Sequence, residues 1–561
     1  MLEKITLTSG TTPSQPPLEI QLAPLTIFVG PNNSGKSAAL IEIENWLTDN
    51  NPKSGDVINN LLYAENAFEN IENELKDLKV APLKGEKTYD DHILIGKMVP
   101  INNTVARFNL PLPNLLREAR EPNKLPRHYL CQYTAIQTLK LDGKNRLQLI
   151  EDQESVDLQN EPSSTFSFLF KNNNIRAELS RIACEAFNKY LVVDPTNMGK
   201  LRLRLSKKPP KNESQERGWD EESVNFHGEA NLVTEASDGV KAFIGMMSTL
   251  IASKPKVTLI DEPEAFLHPA LCTKLGKEIS RTITDPNQRV FVATHSANFL
   301  MGCIQGGSSV NIVRLTYDYS EGTARVLTKE QLTPLMRNPL LRSVGVLNAL
   351  FYHAVIVTEA DADRAFYQEI NERLLANNDS RGIEGCLFLN AQNKQTVWDI
   401  VKPLRDLGIP AIGIVDIDVI KEGGVTWKKP LIGAHFPEVL HESFCGLRSK
   451  FNTAFENTNK NMKTQGGIKL LNDGDREGFR KFLDDLSEYG VFVVPHGEIE
   501  AWLTKLDINR NKHSWLSSIF EAMGDNPDSP DYVNPTEGDV WDFIGDIKKW
   551  ISTPNRKGIP K

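Results

Sequence analysis

Hydrophobic and polar positions along the chain change repeatedly between two periods, which predicts strands followed by helices. Near the N-terminus, the apolar run at 26–29 breaks into a Gly- and Asn-rich turn and resumes with helical spacing to residue 43. Residues 201–208 (LRLRLSKK) alternate strictly, as a half-buried strand does. Apolar runs and amphipathic segments follow one another again from 230 to 350. The pattern predicts an α/β fold with parallel sheets.

A second cycle of strand, acidic turn and helix begins at 353–376, which predicts a domain boundary near residue 350. Residues from about 46 to 126 are polar and irregular apart from a helix-like stretch (NAFENIENELKDL), so we interpret them as a helical insertion. The predicted division is a first domain at 1–350, a second α/β domain at 351–510 and a helical C-terminal segment at 511–561.

Composition narrows the class of protein. The formal net charge of −9 gives no overall attraction to nucleic acid, so such a partner needs local basic patches. The six cysteines include no C-x-x-C pair, which predicts neither a disulfide framework nor a zinc site. No apolar run is long enough for a membrane span, and the first residues lack a signal-peptide core. We therefore expect a soluble, cytoplasmic protein without membrane contact.

The turn after the first strand, GPNNSGKS at 30–37, has the spacing Gly-x4-Gly-Lys-Ser. Glycines let backbone N–H groups turn towards phosphate oxygens, and the following helix adds its N-terminal dipole. Lys36 is predicted to bind the outer phosphates of ATP, and Ser37 to ligate Mg²⁺. A chance match is the alternative, which the flanking strand and helix disfavour. The predicted nucleotide contacts here are Gly30, Asn32, Asn33, Ser34, Gly35, Lys36, Ser37 and Ala38.

Two later apolar strands end in polar residues that suit ATP hydrolysis. The strand in KVTLIDEPEAFLHP (256–269) ends at Asp261, which can hold Mg²⁺ through water, and Glu262, which can polarise the attacking water. RVFVATHSANFL (289–300) places His295 near the γ-phosphate if the two strands are neighbours. Each alone is more often a buried strand with a polar cap. Their order after a phosphate loop favours the catalytic interpretation.

These motifs resemble those of ABC-type ATPases, particularly the ATPases of chromosome maintenance and recombination repair. The resemblance covers residues 20–300 and implies a Walker A loop, a Walker B strand and a switch histidine at His295. The family's signature before Walker B is matched by Ser237, Asp238 and Gly239, with Asp in place of the usual middle residue. Gln132 is the candidate for the family's glutamine loop.

Acidic residues follow three apolar strands in the second half. Glu359 ends the strand in VIVTEADADRAFY, and Asp363 lies one helical turn later. Asp416 and Asp418 end the strand in IPAIGIVDIDVI, and Glu500 follows VFVVP together with Glu498. Such carboxylates are oxygen ligands for Mg²⁺ or Mn²⁺. A solvated turn or helix cap is the alternative for each alone. The similar Asp473 and Asp475 follow no good strand and are predicted to lie in a helix-capping loop.

Here the chain resembles a Toprim domain, a Rossmann-like fold shared by topoisomerases, primases and a class of nucleases. Glu359 and the pair Asp416/Asp418 match its motifs, with Ala360 in place of the usual Gly. Lys394 in FLNAQNKQTV matches the lysine of the Asn-Ala-Gly-Gly-Lys strand end.

An ABC-type ATPase followed by Toprim is the layout of the OLD-family (overcoming lysogenization defect) endonucleases, which include the Gabija and retron-associated defence nucleases. The resemblance implies a metal ligand at Glu500, three residues after Gly497, and a C-terminal lysine. Lys548 and Lys557 are candidates for this lysine, with a solvated tail as the alternative. The catalytic residues implied are Glu262, His295, Glu359, Asp416 and Asp418, and the metal ligands are Ser37, Glu359, Asp363, Asp416, Asp418 and Glu500.

We therefore expect an ATP-binding, Mg²⁺- or Mn²⁺-dependent DNA endonuclease of anti-phage defence. The alternative is a DNA-bound structural or repair ATPase with an inactive Toprim domain. A primase lacks support because no zinc-ribbon cysteines are present, and a topoisomerase would need a nucleophilic Tyr that the sequence does not single out. The expected partners are DNA and a second copy in a homodimer or higher even oligomer, with an RNA, a reverse transcriptase or another defence component as further candidates.

Local basic runs are candidate DNA contacts, although solvated surface is their commoner meaning. The candidates are Arg202, Arg204, Lys207, Lys208, Lys428 and Lys429.

Overall fold

The computed structural model describes two compact units, Met1–Lys329 and Glu330–Lys561. The residues described are 1–13, 15–87, 89–99, 104–155, 157–159, 162–317, 321–343, 345–512, 514–554 and 556–560. The predicted α/β class is confirmed, because both units contain parallel strands connected through helices.

The strands of the first unit are β1 (Leu2–Leu7), β2 (Glu19–Gln21), β3 (Leu25–Val29), β4 (Ile58–Tyr63), β5 (His92–Val99), β6 (Thr104–Pro111), β7 (Thr138–Leu141), β8 (Gln153–Glu154), β9 (Tyr190–Asn197), β10 (Lys200–Ser206), β11 (Asn231–Leu232), β12 (Val257–Asp261), β13 (Arg289–Ala293), β14 (Val310–Tyr317) and β15 (Gly322–Leu327).

The α-helices of the first unit are α1 (Lys36–Thr48), α2 (Ile71–Leu78), α3 (Leu112–Arg120), α4 (Leu130–Ile136), α5 (Thr165–Lys171), α6 (Asn173–Phe187), α7 (Glu213–Arg217), α8 (Glu221–Gly228), α9 (Asp238–Ser253), α10 (Pro269–Thr282) and α11 (Ala297–Gly306). Short 3₁₀ helices lie at Gln148–Ile150 and Val233–Glu235.

The central sheet of the first unit has the strand order β15-β14-β3-β13-β12-β7. Its neighbouring strands are parallel, except that β14 and β15 are antiparallel. The sequence of β3 (LTIFV) is buried along its whole length, as expected for an apolar run in a sheet covered on both faces. Because β3, β13 and β12 are parallel neighbours, their carboxyl ends lie side by side at one edge of the sheet.

The segment expected as a helical insertion, at about 46–126, contains strands as well as helices. It contains α2 and α3, but β5 and β6 also pair in an antiparallel hairpin. β4 pairs with β1 in a small antiparallel sheet of order β2-β1-β4, so this part belongs to the body of the unit. The polar flanks conceal the hairpin in the sequence, although β5 carries apolar residues that reach the core, such as Ile95.

The second unit has strands β16 (Ala354–Thr358), β17 (Cys386–Asn390), β18 (Ala411–Val415) and β19 (Val491–Val493). Its helices are α12 (Lys329–Arg337), which begins one residue before the unit, α13 (Pro339–Ser343), α14 (Asp361–Ala376), α15 (Val397–Asp406), α16 (Gly424–Gly433), α17 (Glu438–Glu456), α18 (Asp473–Ser487), α19 (Trp515–Met523) and α20 (Asp539–Ser552). Short 3₁₀ helices lie at Val346–Phe351, Ile417–Lys421, Gly467–Leu470 and Ile499–Ala501.

The sheet of the second unit is parallel, with the order β17-β16-β18-β19. The C-terminal segment expected as a separate element packs into the same hydrophobic core. Trp515 of α19 and Trp541 of α20 lie in one buried cluster with Ile356 of β16 and Phe366 of α14. Residues 511–561 are therefore an integral part of this unit.

The boundary between the units lies after Lys329 and not at the expected residue 350. The last strand of the central sheet, β15, ends at Leu327, and the chain then enters the helices that precede β16. No helix in the described part of the chain is both long and apolar enough to cross a membrane.

Candidate nucleotide and metal sites

The phosphate loop connects β3 to α1 and depends on glycines at two positions. Gly30 has φ +148°, and a Cβ there would lie 2.0 Å from the carbonyl oxygen of Leu315. Gly35 has φ +92° and precedes the first residue of α1. A side chain at Gly30 would therefore clash with β14, and at Gly35 it would require a backbone conformation that L residues avoid.

Lys36 and Ser37 begin α1 and face the end of β12. The Lys36 ammonium donates hydrogen bonds to the carbonyl oxygens of Gly30 (3.0 Å) and Pro31 (2.6 Å). Burial lowers the pKa of Lys36 to about 8, against the opposing charges of Glu262 and Asp261. The Ser37 hydroxyl donates to Asp261 Oδ1 at 3.0 Å. The remaining predicted contacts of this loop are Asn32, Asn33 and Ser34 in the turn and Ala38 in the first turn of α1.

The strand order brings together the polar residues that follow β12 and β13. His295 Nε2 lies 3.8 Å from Glu262 Oε1. Burial and the nearby charge of Lys36 lower the pKa of His295. Asp261, Glu262 and His295 therefore lie beside the phosphate loop, as their predicted roles require.

Sequence reasoning missed Glu264 in this site. Its carboxylate accepts hydrogen bonds from the Thr294 hydroxyl (2.8 Å) and from the backbone N–H of His295 (2.6 Å). Burial raises the pKa of Glu264. Glu264 thus ties the turn after β12 to the turn after β13. The DEPE run in the sequence is the signal that could have identified it.

The signature-like residues lie where α9 begins. Ser237 is the N-cap residue of α9, and Asp238 pairs with Lys241 at 3.2 Å. A Cβ at Gly239 would lie 2.6 Å from the carbonyl oxygen of Phe266, so the start of α9 packs against the turn after β12. Gln132 lies on α4, where its side chain donates to the carbonyl oxygen of His128 at 3.1 Å.

In the second unit, three of the predicted carboxylates converge at the ends of parallel neighbouring strands. Glu359 follows β16, and Asp416 and Asp418 follow β18. One oxygen atom from each of the three lies within 4.8 Å of the others. The backbone N–H of Asp416 donates to Glu359 Oε1 at 3.0 Å, which fixes the two strand ends to each other.

Burial, together with nearby negative charge, favours the protonated forms of Glu359, Asp363, Asp416 and Glu500. Burial, and then the charge of Asp416, raises the pKa of Glu359 and raises that of Asp363 to about 7. Burial also raises the pKa values of Asp416 and Glu500. Asp363 accepts a hydrogen bond from the N–H of Ala360 at 2.8 Å, which caps α14. Carboxyl groups with strongly shifted pKa values cluster at functional sites.

Two lysines face the acids. Lys463, in the loop after α17, lies 2.6 Å from Asp416, 3.6 Å from Asp418 and 3.8 Å from Glu498. Burial lowers the pKa of Lys463, but Asp416, Asp418 and Glu359 together raise it above its ordinary value. Lys394 lies 3.3 Å from Asp418.

The lysine candidates from the C-terminal segment have other contacts. Lys548 donates to the carbonyl oxygen of Gly382 at 2.6 Å, and Lys557 pairs with Glu488. Sequence reasoning therefore missed Lys463, which lies in NMKTQGG and matches no motif.

The donor set suits a divalent cation. Asp418 Oδ1 and Glu500 Oε2 are buried and accept no hydrogen bond from any residue that the structure describes. Buried carboxylate oxygens without a donor are costly, and a hard cation would satisfy them. Asp473, by contrast, begins α18 after the N-cap residue Asn472, as predicted for a helix-capping loop.

The basic residues differ in their availability to DNA. Arg202 and Arg204 both pair with the buried Asp194, at 2.8 and 2.5 Å, so they stabilise the sheet around β10. Lys429 pairs with Asp399 at 3.7 Å, whereas Lys428 is exposed on α16.

The comparisons with known proteins concern the first unit. Residues 64–301 match the family model described as "AAA domain, putative AbiEii toxin, Type IV TA system". The match covers less than half of the chain and begins after the phosphate loop. The first unit is therefore similar to AAA-type ATPase domains. No curated protein matches the sequence.

Solved structures of SMC head domains are similar to part of the chain. An SMC head bound to the C-terminal winged-helix domain of ScpA is 14% identical, with 60% of this chain and 99% of that chain covered and a TM-score of 0.32. A Pyrococcus furiosus SMC head is 13% identical, with 60% of this chain and 98% of that chain covered and a TM-score of 0.32. The SMC head domain of Thermotoga maritima is 14% identical, with 58% of this chain and 98% of that chain covered and a TM-score of 0.27. TM-scores this low leave the assignment of function to the residues themselves.

Proposed function

We propose that this chain is an ATP-hydrolysing, divalent-metal-dependent DNA endonuclease. ATP is bound in the first unit, and phosphodiester bonds are cleaved in the second. The observation that carries the nuclease is the convergence of Glu359, Asp416 and Asp418, whose oxygen atoms lie within 4.8 Å of one another. We infer DNA as the substrate, and a role in anti-phage defence, from the resemblance of the motif order to that of OLD-family endonucleases.

In the first unit, each residue has a role that follows from its position. Lys36 binds the outer phosphates of ATP, and Ser37 and Asp261, which already share a hydrogen bond, hold Mg²⁺. Glu262 orients the attacking water, and His295, 3.8 Å from it, contacts the γ-phosphate. Mg²⁺, when bound, neutralises charge that develops on the phosphates.

In the second unit, Glu359, Asp416 and Asp418 would hold one cation, and Asp363 and Glu500 would help to hold a second. Divalent cations, when bound, activate water and stabilise the leaving oxygen. Lys463 and Lys394 approach the same carboxylates and supply positive charge for the scissile phosphate. Glu359 and Asp363, whose pKa values are raised, would have to lose their protons in order to hold a cation.

The proposed oligomeric state rests on features of the first unit. The sequence contains one phosphate-loop motif, whereas related ATPases bury nucleotide between two protomers. The start of α9, with Ser237, Asp238 and Gly239, supplies the surface that would complete the site of a second copy. A homodimer or higher even oligomer is therefore part of the proposal, with an RNA, a reverse transcriptase or another defence component as a further partner.

Plasmid nicking tests the nuclease. The wild-type chain should nick supercoiled plasmid with Mg²⁺ or Mn²⁺ and not in EDTA. Asp416→Asn and Glu359→Gln should each abolish nicking and retain ATP binding. Asp473→Asn, in the superficially similar Asp-x-Asp of α18, is the matched control and should nick normally. Nicking at the wild-type rate in both site variants would refute the proposal.

A DNA-bound structural or repair ATPase is the second candidate. The observation that favours it is the 2.6 Å ion pair between Lys463 and Asp416, which neutralises part of the acidic cluster. Calorimetric titration with Mn²⁺ separates the two functions. A nuclease binds Mn²⁺ through the acidic cluster, and Asp416→Asn removes this binding. A structural ATPase shows no Mn²⁺ binding that depends on Asp416.

A further inference from the structure

Arg146 lies beneath the turn that follows β12, in a position that no sequence motif predicts. Its side chain is fully buried. Nη1 donates to the carbonyl oxygen of Glu262 at 2.6 Å, and Nη2 donates to the carbonyl oxygen of Asp261. One planar guanidinium therefore holds the main chain of both acids that follow β12.

The backbone that Arg146 holds is unusual. Glu262 has φ +48°, in the left-handed region that residues other than glycine rarely adopt. Its N–H donates to the carbonyl oxygen of Ala293 at 2.9 Å, and its own carbonyl oxygen also accepts from the N–H of Ala265 at 3.0 Å. These contacts and Arg146 fix the conformation that directs the Glu262 carboxylate towards His295. Such strain persists only where surrounding contacts determine it.

The segment that carries Arg146 is itself held on both sides. The Arg146 N–H and Nε both donate to the carbonyl oxygen of Asp142, at 3.3 and 3.1 Å, which closes a tight turn. On the other side, a Cβ at Gly245 would lie 3.1 Å from the carbonyl oxygen of Arg146, so the backbone of α9 packs directly against the segment. Arg146 is thus a rigid link between α9 and Glu262.

We propose that Arg146 is a positioning residue for ATP hydrolysis, because it holds the Glu262 backbone in the conformation that aims its carboxylate at the attacking water. This inference rests on the proposed ATPase activity of the first unit. Lysine cannot replace Arg146, because one ammonium on a flexible stem does not reproduce a planar fork that donates to two carbonyl groups. Arg146 makes no contact with the phosphate loop among the hydrogen bonds and ion pairs of the described residues, so its loss should affect turnover rather than ATP affinity.

The test compares Arg146→Lys with Arg127→Lys in the full chain. Arg127 is the matched control, because it is also buried and donates through Nη1 to Pro122 (3.1 Å) and through Nη2 to Trp46 (2.8 Å), both main-chain carbonyl groups. Each variant is measured for the affinity of a fluorescent ATP analogue, for kcat and for amide hydrogen exchange in the peptide 257–268. That peptide contains the N–H groups of Glu262 and Ala265, whose hydrogen bonds report the conformation of the turn.

Arg146→Lys should lower kcat by about 10- to 100-fold, leave ATP affinity within about twofold, and increase exchange in 257–268. Arg127→Lys should change none of the three. Unchanged exchange in Arg146→Lys, or increased exchange with wild-type kcat, would overturn the inference, as would a parallel loss of ATP affinity. Exchange is measured without turnover. A wild-type chain that lacks ATPase activity therefore refutes the proposed function, while the exchange comparison still decides whether Arg146 holds the turn.

Discussion

Saturating Mn²⁺ should raise the unfolding temperature of the second unit, and Asp416→Asn should remove that increase. The substitution keeps the size of the side chain and removes one negative charge from the cluster of Glu359, Asp416 and Asp418. An ion that binds only the folded state stabilises it by mass action. The stabilisation therefore measures the metal site without requiring DNA or turnover.

The expected magnitude follows from linkage and from the size of the unit. Free Mn²⁺ at about 100 times its dissociation constant adds about 2.7 kcal/mol to the free energy of unfolding. The second unit comprises Glu330–Lys561, and a unit of that size gains about 2–4 °C for each kcal/mol. The unfolding temperature should therefore rise by about 5–11 °C.

The shift should also depend on pH in a defined direction. The pKa of Asp363 is raised to about 7, so its protonated form is favoured in the folded state. Its contribution to metal-free stability is complete below its unfolded pKa near 4 and is lost as pH rises through about 7. Cations require the ionised form and compete with this proton. The increase in unfolding temperature that Mn²⁺ produces should therefore become larger between about pH 6 and about pH 8.

Differential scanning calorimetry of the full chain is the assay, because it can resolve separate transitions for the two units. Asp473→Asn is the control, since Asp473 is exposed at the start of α18 and pairs only with Arg476 among the described residues. It should retain the full Mn²⁺ response. A wild-type chain with no response, or an equal response in Asp416→Asn, would refute the assignment of the carboxylates as a cation site.

The other predictions concern the nucleotide site and Lys463. Lys36→Ala should abolish ATP binding in a fluorescence titration, because it removes the phosphate-binding charge, and unchanged affinity would contradict this role. Glu262→Gln should bind ATP and lose phosphate release in a coupled assay. With ATP, Glu262→Gln should have the molar mass of a dimer in light scattering. A monomer at micromolar concentration would count against the proposed homodimer. Lys463→Met should lower the metal-free stability of the second unit by about 1–3 kcal/mol in calorimetry, because it leaves Asp416 unpaired. Lys429→Met, at an exposed pair, should change it by less than about 0.5 kcal/mol.

The strand ends could be predicted because their signals are local. An apolar run that stops at Asp261, Glu359 or Asp416 is visible in a window of about ten residues. The prediction for His295 also required its strand to be near that of Asp261, and the structure confirms that β12 and β13 are neighbours. Their order follows from parallel crossovers that alternate strands with helices.

The missed residues act through contacts between distant parts of the sequence. Lys463 lies in a loop without periodicity and meets Asp416 only through the tertiary fold. Arg146 holds carbonyl groups, which leave no trace in side-chain patterns. The helicity of α19 and α20 could be predicted, but their burial depends on tertiary packing of Trp515 and Trp541.

The packing of tryptophans gives the second unit its own optical signal. Of the eight tryptophans, Trp46 and Trp219 lie in the first unit and the other six in the second. Trp219 is exposed, whereas Trp502, Trp515 and Trp541 are almost completely buried. Intrinsic fluorescence should thus shift to longer wavelength mainly when the second unit unfolds, even while the first remains folded with ATP. The wavelength of tryptophan emission during denaturation can therefore show whether a ligand of one unit protects the other unit against unfolding. No label has to be attached to either unit.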